Sequence, residues 1–186
     1  EVPPAFAATK PEIDVIPLGI GGKELSEENA AQTAKALNII QPDFIRVHAT
    51  GIKLESKLGE FVRDGSFTLQ SEEEIVIEQK LFLQQLHEMD SYYVNEHIVN
   101  LLLEVRGNLR TEKQEMLSTI DRFLTLPPDE RLLFTVGRRL NIFFRLDDLK
   151  KPKLHQKAGE SLQQILSKNP HVDFAALCNY VRQSQI

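Results

Sequence analysis

The side chains best suited to binding a small ligand lie in three short stretches, each predicted to be at or just after the end of a β-strand. They are a glycine-rich turn at residues 19–24, a strand end at residues 46–50 and a polar segment at residues 95–97. Ligands of parallel α/β folds bind beyond the carboxyl ends of the strands, so we expect the three stretches to line one hollow. The candidate residues are Gly19, Ile20, Gly21, Gly22, Glu24, Arg46, His48, Thr50, Asn95, Glu96 and His97.

The glycine-rich turn matches neither of the common phosphate-binding patterns. A Walker P-loop requires a glycine where Pro17 stands and a serine or threonine where Glu24 stands, and the dinucleotide pattern GxGxxG requires its third glycine at Glu24. Bare backbone N–H groups at a strand-to-helix turn can still meet the polar edge of a ligand. The alternative is a purely structural tight turn that requires positive φ angles.

Arg46 and His48 alternate with apolar residues, so they share the face of the predicted strand that is not packed against helices. If this strand lines a closed barrel, Arg46 faces the interior and needs an anionic partner such as a ligand carboxylate. If the strand lies at an exposed edge, both side chains are solvated. His97 likewise has two interpretations: it contacts a ligand, or it is a structural histidine with its own protein partners.

The composition argues against several classes of function. The net charge of −5 at pH 7 disfavours an electrostatic grip on nucleic acid or on an anionic membrane. Cys178 is the only cysteine, so this chain alone cannot form a disulfide or an iron–sulfur site. A cytoplasmic location is expected from the cysteine usage, from the lack of a signal peptide and from the lack of a long apolar run. Because the chain begins at Glu1, we expect it to be cut from a longer polypeptide.

Strand and helix patterns alternate in the first part of the chain. Residues 13–20 and 43–50 are predicted strands with a predicted helix between them, which makes a βαβ unit with parallel strands. Ser71 and Glu74 form a capping box in front of a further helix, and residues 91–98 are the third predicted strand. We therefore expect an α/β fold with a parallel sheet.

From residue 111 onward the pattern becomes helical. Thr111 and Gln114 are interpreted as a second capping box. Further helices are predicted over residues 129–140, 159–167 and 173–182, with a linker candidate at residues 150–153 and an extended lead-in at residues 1–12. The chain is thus divided into a βα part, residues 1–110, and a mostly helical C-terminal tail, residues 111–186.

Some polar residues receive purely structural interpretations. Arg138 and Arg139 are expected to complement the dipole at a helix C-terminus, and Glu72 and its two acidic neighbours to form a solvated first helical turn. Cys178 occupies an apolar position of a predicted helix and is expected in the core.

Three stretches together resemble the C-terminal half of the catalytic barrel of radical S-adenosylmethionine (radical SAM) proteins, in the branch labelled iron–sulfur oxidoreductase or coproporphyrinogen-oxidase-like. They read LGIGGKELSEE at residues 18–28, PDFIRVH at 42–48, and YVNEHIVNLL at 93–102 followed by EVRGNL at 104–109. The segments EKQEML and IDRFL, at residues 112–117 and 120–124, are similar to the same branch. The resemblance covers residues 13–146.

This resemblance implies a partial parallel (β/α) barrel and a set of site residues. Members of the family cleave S-adenosylmethionine reductively with a [4Fe–4S] cluster and form a 5′-deoxyadenosyl radical. By the resemblance, the residues near the cofactor are Gly19, Ile20, Gly21, Gly22, Glu24, Arg46 and His48, with Ile20 against the adenine, and those on the substrate side are Thr50, Asn95, Glu96 and His97. The branch more often has Arg at His48 and a Pro-Gly-Thr-like turn at residues 53–56, so the substrate side has diverged.

The cluster-binding CxxxCxxC of the family is not in this sequence and is expected in the missing N-terminal half. We therefore expect this chain alone to hold no cofactor and no metal, and to be catalytically inactive. Its unpaired strand edge is expected to meet the missing half, a second copy of the chain or the helical tail. The alternative function is a non-catalytic α/β module that binds a small ligand or a partner.

Overall fold

A mixed four-stranded sheet forms the centre of the described structure, a computed structural model that describes residues 13–185. The strands are β1 (Ile13–Leu18), β2 (Phe44–Ala49), β3 (Tyr92–Val94) and β4 (Gly107–Asn108), and they lie in the order β1-β2-β3-β4. The first three strands are parallel and β4 is antiparallel to β3. The prediction of an α/β fold with a parallel βαβ unit is confirmed, and the short antiparallel β4 was not predicted.

Helices connect the parallel strands and continue beyond the sheet. The helices are α1 (Ser26–Ile40), α2 (Lys57–Asp64), α3 (Glu72–Gln85), α4 (Lys113–Leu124), α5 (Pro128–Arg139), α6 (Pro152–Lys168) and α7 (Phe174–Gln183), with a 3₁₀ turn at Leu146–Lys150. The capping box at the start of α3 is confirmed, because Ser71 Oγ accepts from Glu74 N and the Glu74 carboxylate accepts from Ser71 N. Helix α2, which ends at Gly65 in the left-handed region, was not predicted.

Burial of the sheet is one-sided. On one face Ile45, Val47 and Ala49 of β2 belong to the hydrophobic core, together with apolar residues of α1 and α3. The opposite face carries half-buried Arg46 and His48 and the exposed rings of Phe44 and Tyr92, whose centroids lie 6.5 Å apart; exposed Val15 of β1 completes it. We call this second face, made of Val15, Phe44, Arg46, His48 and Tyr92, the uncovered face.

The third strand is shorter than predicted. Only Tyr92–Val94 pair with β2, and residues 95–98 leave the sheet. The cause is Asn95, which is fully buried and donates from Nδ2 to Leu102 O at 2.6 Å, so the chain turns at this point. The prediction that strand structure extends to residue 98 is wrong.

Two predictions in the helical tail are also wrong. The capping box at Thr111 is absent, because α4 begins at Lys113 and Glu112 accepts from Asn108 N at 2.7 Å instead. Helix α6 begins at Pro152 rather than at residue 159, since proline suits the first turn of a helix. The linker candidate at residues 150–153 is therefore the junction between the 3₁₀ turn and α6.

The helical tail packs on the same core as the sheet. Phe123, Phe134 and Phe143 are buried in one hydrophobic cluster with β2 and β3, and the rings of Phe134 and Phe143 stack with centroids 5.9 Å apart. The division of the chain at residue 110 remains a prediction. The expected lead-in at residues 1–12 lies outside the described residues.

Candidate functional site

The glycine-rich turn joins β1 to α1 and has the positive φ angles that the structural alternative requires. Gly19 and Gly22 have φ angles of +83° and +63°, which side chains other than glycine rarely adopt. The expectation of bare N–H groups is wrong at three positions: Gly19 N donates to a carboxylate oxygen of Glu78, Gly22 N donates to Gly19 O, and Lys23 N donates to Thr68 O. These three N–H groups are therefore already hydrogen-bonded within the protein.

Glu78 of α3 is hydrogen-bonded to the glycine turn, a role that was not predicted from the sequence. Its side chain is 0% exposed, and its carboxylate accepts from Gly19 N at 3.1 Å, from Ser26 Oγ at 2.9 Å and from Asn29 Nδ2 at 2.8 Å. The available signal was its helical spacing from Ile75 and Phe82, which places an acidic residue on the buried stripe of α3.

The outer part of the turn is solvent-facing. Ile20 is 37% exposed, and Glu24 is exposed and accepts from Thr68 Oγ1 at 2.5 Å. The hydrogen bond from Thr68 lowers the pKa of Glu24 below its usual range. Lys23 forms an ion pair with Glu74 at 2.8 Å. An apolar side chain and a carboxylate are therefore the groups that this turn presents to solvent.

His48 and His97 lie together at the carboxyl end of the parallel strands. Their ring centroids are 4.1 Å apart with an interplanar angle of 33°, and Arg46 lies two residues earlier on the same face. Burial, followed by the positive charge of a protonated His97 and of Arg46, lowers the pKa of His48. The lowered pKa favours the neutral imidazole of His48, in which one ring nitrogen donates and the other accepts.

The end of β2 connects this histidine pair to the glycine turn. Thr50 N donates to Leu18 O at 2.8 Å, and His48 is the register partner of Pro17. The structure therefore brings the glycine turn and the Arg46–His48 row to one edge of the sheet, and the His48–His97 contact brings His97 there as well.

The other substrate-side candidates have structural partners. Asn95 binds the turn at Leu102, and Glu96 is exposed and paired with Arg106. Asn100, which the sequence analysis did not select, clamps β2 instead: its Oδ1 accepts from Ala49 N at 2.7 Å, and its Nδ2 donates to Val47 O at 2.8 Å. The polar segment after β3 thus fixes the carboxyl end of β2.

Helix α7 holds the residues that follow β2. Buried Asn179 accepts from Ile52 N at 2.8 Å and donates to Ile52 O at 2.9 Å, and Arg182 Nε donates to Thr50 O at 3.0 Å. Gly51 lies against the backbone of α7, where an added Cβ would stand 2.8 Å from Gln183 N. The C-terminal helix therefore fixes the segment 50–52, which starts two residues after His48.

Beneath this segment lies a buried charge cluster that overturns the prediction of a solvated Glu72. Glu72 is 4% exposed, not solvated, and accepts from Arg139 Nε at 3.0 Å, from Arg139 Nη2 at 2.5 Å and from Arg182 Nη1. Burial alone would raise the pKa of Glu72, but the two guanidinium groups outweigh it and hold the pKa below its usual range. Arg138 and Arg139 lie in the last turn of α5, where they were expected to complement the helix dipole, and both side chains are buried.

The residues of this chain do not fit a [4Fe–4S] cluster. Cys178 is buried as predicted, and burial followed by the charge of Glu72 raises the pKa of its thiol to about 12. Among the described residues, no group of three or more His, Cys, Asp or Glu side chains is placed to hold a metal ion.

Comparison with protein-family models, with curated proteins and with solved structures finds no match to this chain. What residues 13–185 define is an α/β protein whose sheet packs on helices with one face, while none of the described helices packs on the other face. Within the described part of the chain, none of the helices combines the length and the apolar character needed to cross a membrane.

Proposed function

We propose that this chain forms the C-terminal part of the (β/α) barrel of a radical SAM enzyme and supplies part of its cofactor pocket and substrate side. The observation that supports this proposal is the uncovered face. In a closed barrel the interior face of each strand meets the other strands across the barrel, and the outer face meets helices. Arg46 and His48 lie on the face without helices, at the carboxyl end of parallel strands that follow one another in chain order.

The groups at this edge suit an adenosyl cofactor in chemical terms. Exposed Ile20 offers an apolar surface beside the glycine turn, while Arg46 and the two imidazoles offer charged and neutral polar groups. In the proposal, Ile20 packs on the adenine, Arg46 and His48 bind polar groups of S-adenosylmethionine, and His97 faces the substrate. Bound together, S-adenosylmethionine and a [4Fe–4S] cluster supply a carbon-centred radical. The cluster ligands belong to polypeptide outside these 186 residues.

The test uses the complete natural polypeptide that contains this chain. Its sequence should hold a CxxxCxxC motif before the glycine-rich turn, and the protein reconstituted anaerobically with iron and sulfide should absorb in the visible range and release 5′-deoxyadenosine from S-adenosylmethionine when reduced. A complete polypeptide without the motif, or a colourless protein that leaves S-adenosylmethionine intact, would contradict the proposal.

The second candidate function is a non-catalytic α/β module that binds a small ligand or a partner. It is favoured by the internal use of the N–H groups of Gly19, Gly22 and Lys23, which leaves the turn fewer donors for a cofactor. This alternative predicts that the complete polypeptide binds a ligand at the uncovered face without cleaving S-adenosylmethionine.

A further inference from the structure

The buried arginines of α5 and α7 outnumber the carboxylates that balance them. Arg138, Arg139 and Arg182 are each at least 95% buried, and Glu72 is the carboxylate of this cluster. Arg139 and Arg182 both bind Glu72, whereas Arg138 forms no ion pair within residues 15–185. The cluster thus buries two positive charges in excess, which is costly unless an anion compensates them.

Arg138 has unused hydrogen-bonding capacity as well as an unbalanced charge. Its Nη2 donates to Ile98 O and to Asn100 O, both at 3.2 Å. Its Nε and Nη1 are buried and have no partner among the described residues. Burial, followed by the neighbouring charge of Arg139, lowers the pKa of Arg138 to about 10. Nε–H and Nη1–H point to different sides of the guanidinium, and each can donate a charge-assisted hydrogen bond to an oxyanion such as a carboxylate or a phosphate.

Phe144, the residue that covers Arg138, also lines a pocket. The Phe144 ring stands over the guanidinium, 5.5 Å from Cζ to the ring centroid, and is itself 47% exposed. Phe144 also lines a pocket of about 400 Å³, together with Tyr92 of the uncovered face, Arg106 and Arg145. A small ligand in this pocket would therefore be separated from Arg138 by one partly exposed aromatic side chain.

The acidic residues of the pocket are already occupied. Glu104 accepts from Leu146 N at 3.2 Å, and burial raises the pKa of its carboxyl. Glu112 accepts from Asn108 N at 2.7 Å. Neither carboxylate pairs with Arg138. The acidic residues that line the pocket therefore do not neutralise the guanidinium of Arg138.

We propose that Arg138 is the binding group of an oxyanion site, in which a carboxylate or phosphate of a small molecule enters this pocket beside Phe144 and accepts a hydrogen bond from Nη1 or from Nε. The site is separate from the glycine turn and does not rest on the proposed radical SAM function. Phe144 acts as its cover, since its ring occupies the face of the guanidinium when no anion is present.

The first test measures the thermal unfolding midpoint of the 186-residue chain as inorganic phosphate or acetate replaces chloride at constant ionic strength, which keeps general screening fixed. A ligand that binds only the folded state raises the midpoint with its concentration. The midpoint should rise with at least one of the two oxyanions. A larger rise with phosphate indicates a phosphoryl ligand, and a larger rise with acetate indicates a carboxylate ligand.

Variants assign the effect to Arg138. Arg138→Met should abolish the oxyanion-dependent rise, and Arg145→Met, a matched change at the pocket rim, should keep it. Phe144→Ala should produce the same rise at about tenfold lower anion concentration, because the side chain that covers the guanidinium no longer restricts access to it. If Arg138→Met does not fold, Arg138→Lys takes its place and should weaken the response, since an ammonium lacks the fixed donor directions of a guanidinium.

Two results would overturn the proposal. One is a wild-type midpoint that does not respond to phosphate or to acetate. The other is a response that Arg138→Met, or Arg138→Lys in its place, retains in full, which would show an adventitious ion at another site. Neither result bears on the release of 5′-deoxyadenosine by the complete polypeptide, so the two proposals fail independently.

Discussion

Replacing Asn179 by leucine should detach α7 from the segment that follows β2. The Asn179 amide is the partner of both backbone groups of Ile52, with donor–acceptor distances of 2.8 and 2.9 Å. Leucine has nearly the same size but can neither donate nor accept. The substitution therefore removes the two hydrogen bonds with little change of packing volume.

The expected loss of stability follows from the burial of the groups left behind. Ile52 is 4% exposed, so its N–H and C=O cannot turn to water without local opening. A buried polar group that loses its partner costs about 1–3 kcal/mol. For two such groups, we expect Asn179→Leu to lower the free energy of unfolding by about 3 kcal/mol.

Urea unfolding measures this loss, and hydrogen exchange measures where it acts. The Ile52 amide should exchange faster in Asn179→Leu than in the wild type. The control is Tyr180→Leu, a change at an exposed position of the same helix that should alter stability by about 0.5 kcal/mol or less. A loss below about 1 kcal/mol, or an unchanged exchange rate at Ile52, would refute the idea that α7 fixes this segment.

Three other changes test the contacts around the site. Gly51→Ala should destabilise the chain and increase exchange in α7, because its Cβ would stand 2.8 Å from Gln183 N; unaltered exchange there would contradict the close approach. Glu78→Gln should lower the free energy of unfolding in urea by about 1–3 kcal/mol, because the amide NH2 replaces an oxygen that accepts from donors such as Gly19 N. An unchanged free energy of unfolding would contradict this role of the Glu78 carboxylate. The pKa of His48 is lowered on folding, so the unfolded chain binds more protons and the free energy of unfolding should fall as pH decreases below about 6.5. A titration of stability should show a shallower fall for His48→Asn; equal slopes would contradict the assignment.

Local sequence patterns predicted those features that neighbouring residues determine. The capping box at Ser71 involves residues three apart, and the alternation of β2 follows from its own six residues, so both could be derived without knowing the fold. The positive φ angles at Gly19 and Gly22 were predictable for the same reason. The order of strand, helix and strand then led to the parallel pairing of β1 with β2.

The features that were missed depend on partners far away in the chain. Glu72 binds arginines 67 and 110 positions later, and Asn179 binds Ile52 across 127 positions. A glutamate in a first helical turn has the same local pattern whether it is solvated or buried. Only tertiary packing decides which of these it is, which is why Glu72 was predicted to be solvated and its pairing with Arg139 was missed.

The shape of the third strand shows a different limit. Its residues have the composition of a strand as far as Ile98, but the buried amide of Asn95 bonds Leu102 O and turns the chain after Val94. Asparagine competes with the sheet for backbone hydrogen bonds. The turn brings His97 against His48, a contact that a straight strand through residue 98 would not make.

The affinity of the complete polypeptide for S-adenosylmethionine tests most directly whether the uncovered face is a cofactor site. Calorimetric titration should detect binding to the wild type and binding weakened about tenfold or more in Arg46→Met, because a charged hydrogen-bond donor is lost from the pocket. Arg110→Met, a change at an exposed position after β4, should bind as the wild type does. Equal affinity of the Arg46 variant and the wild type, or no binding to either, would contradict the account.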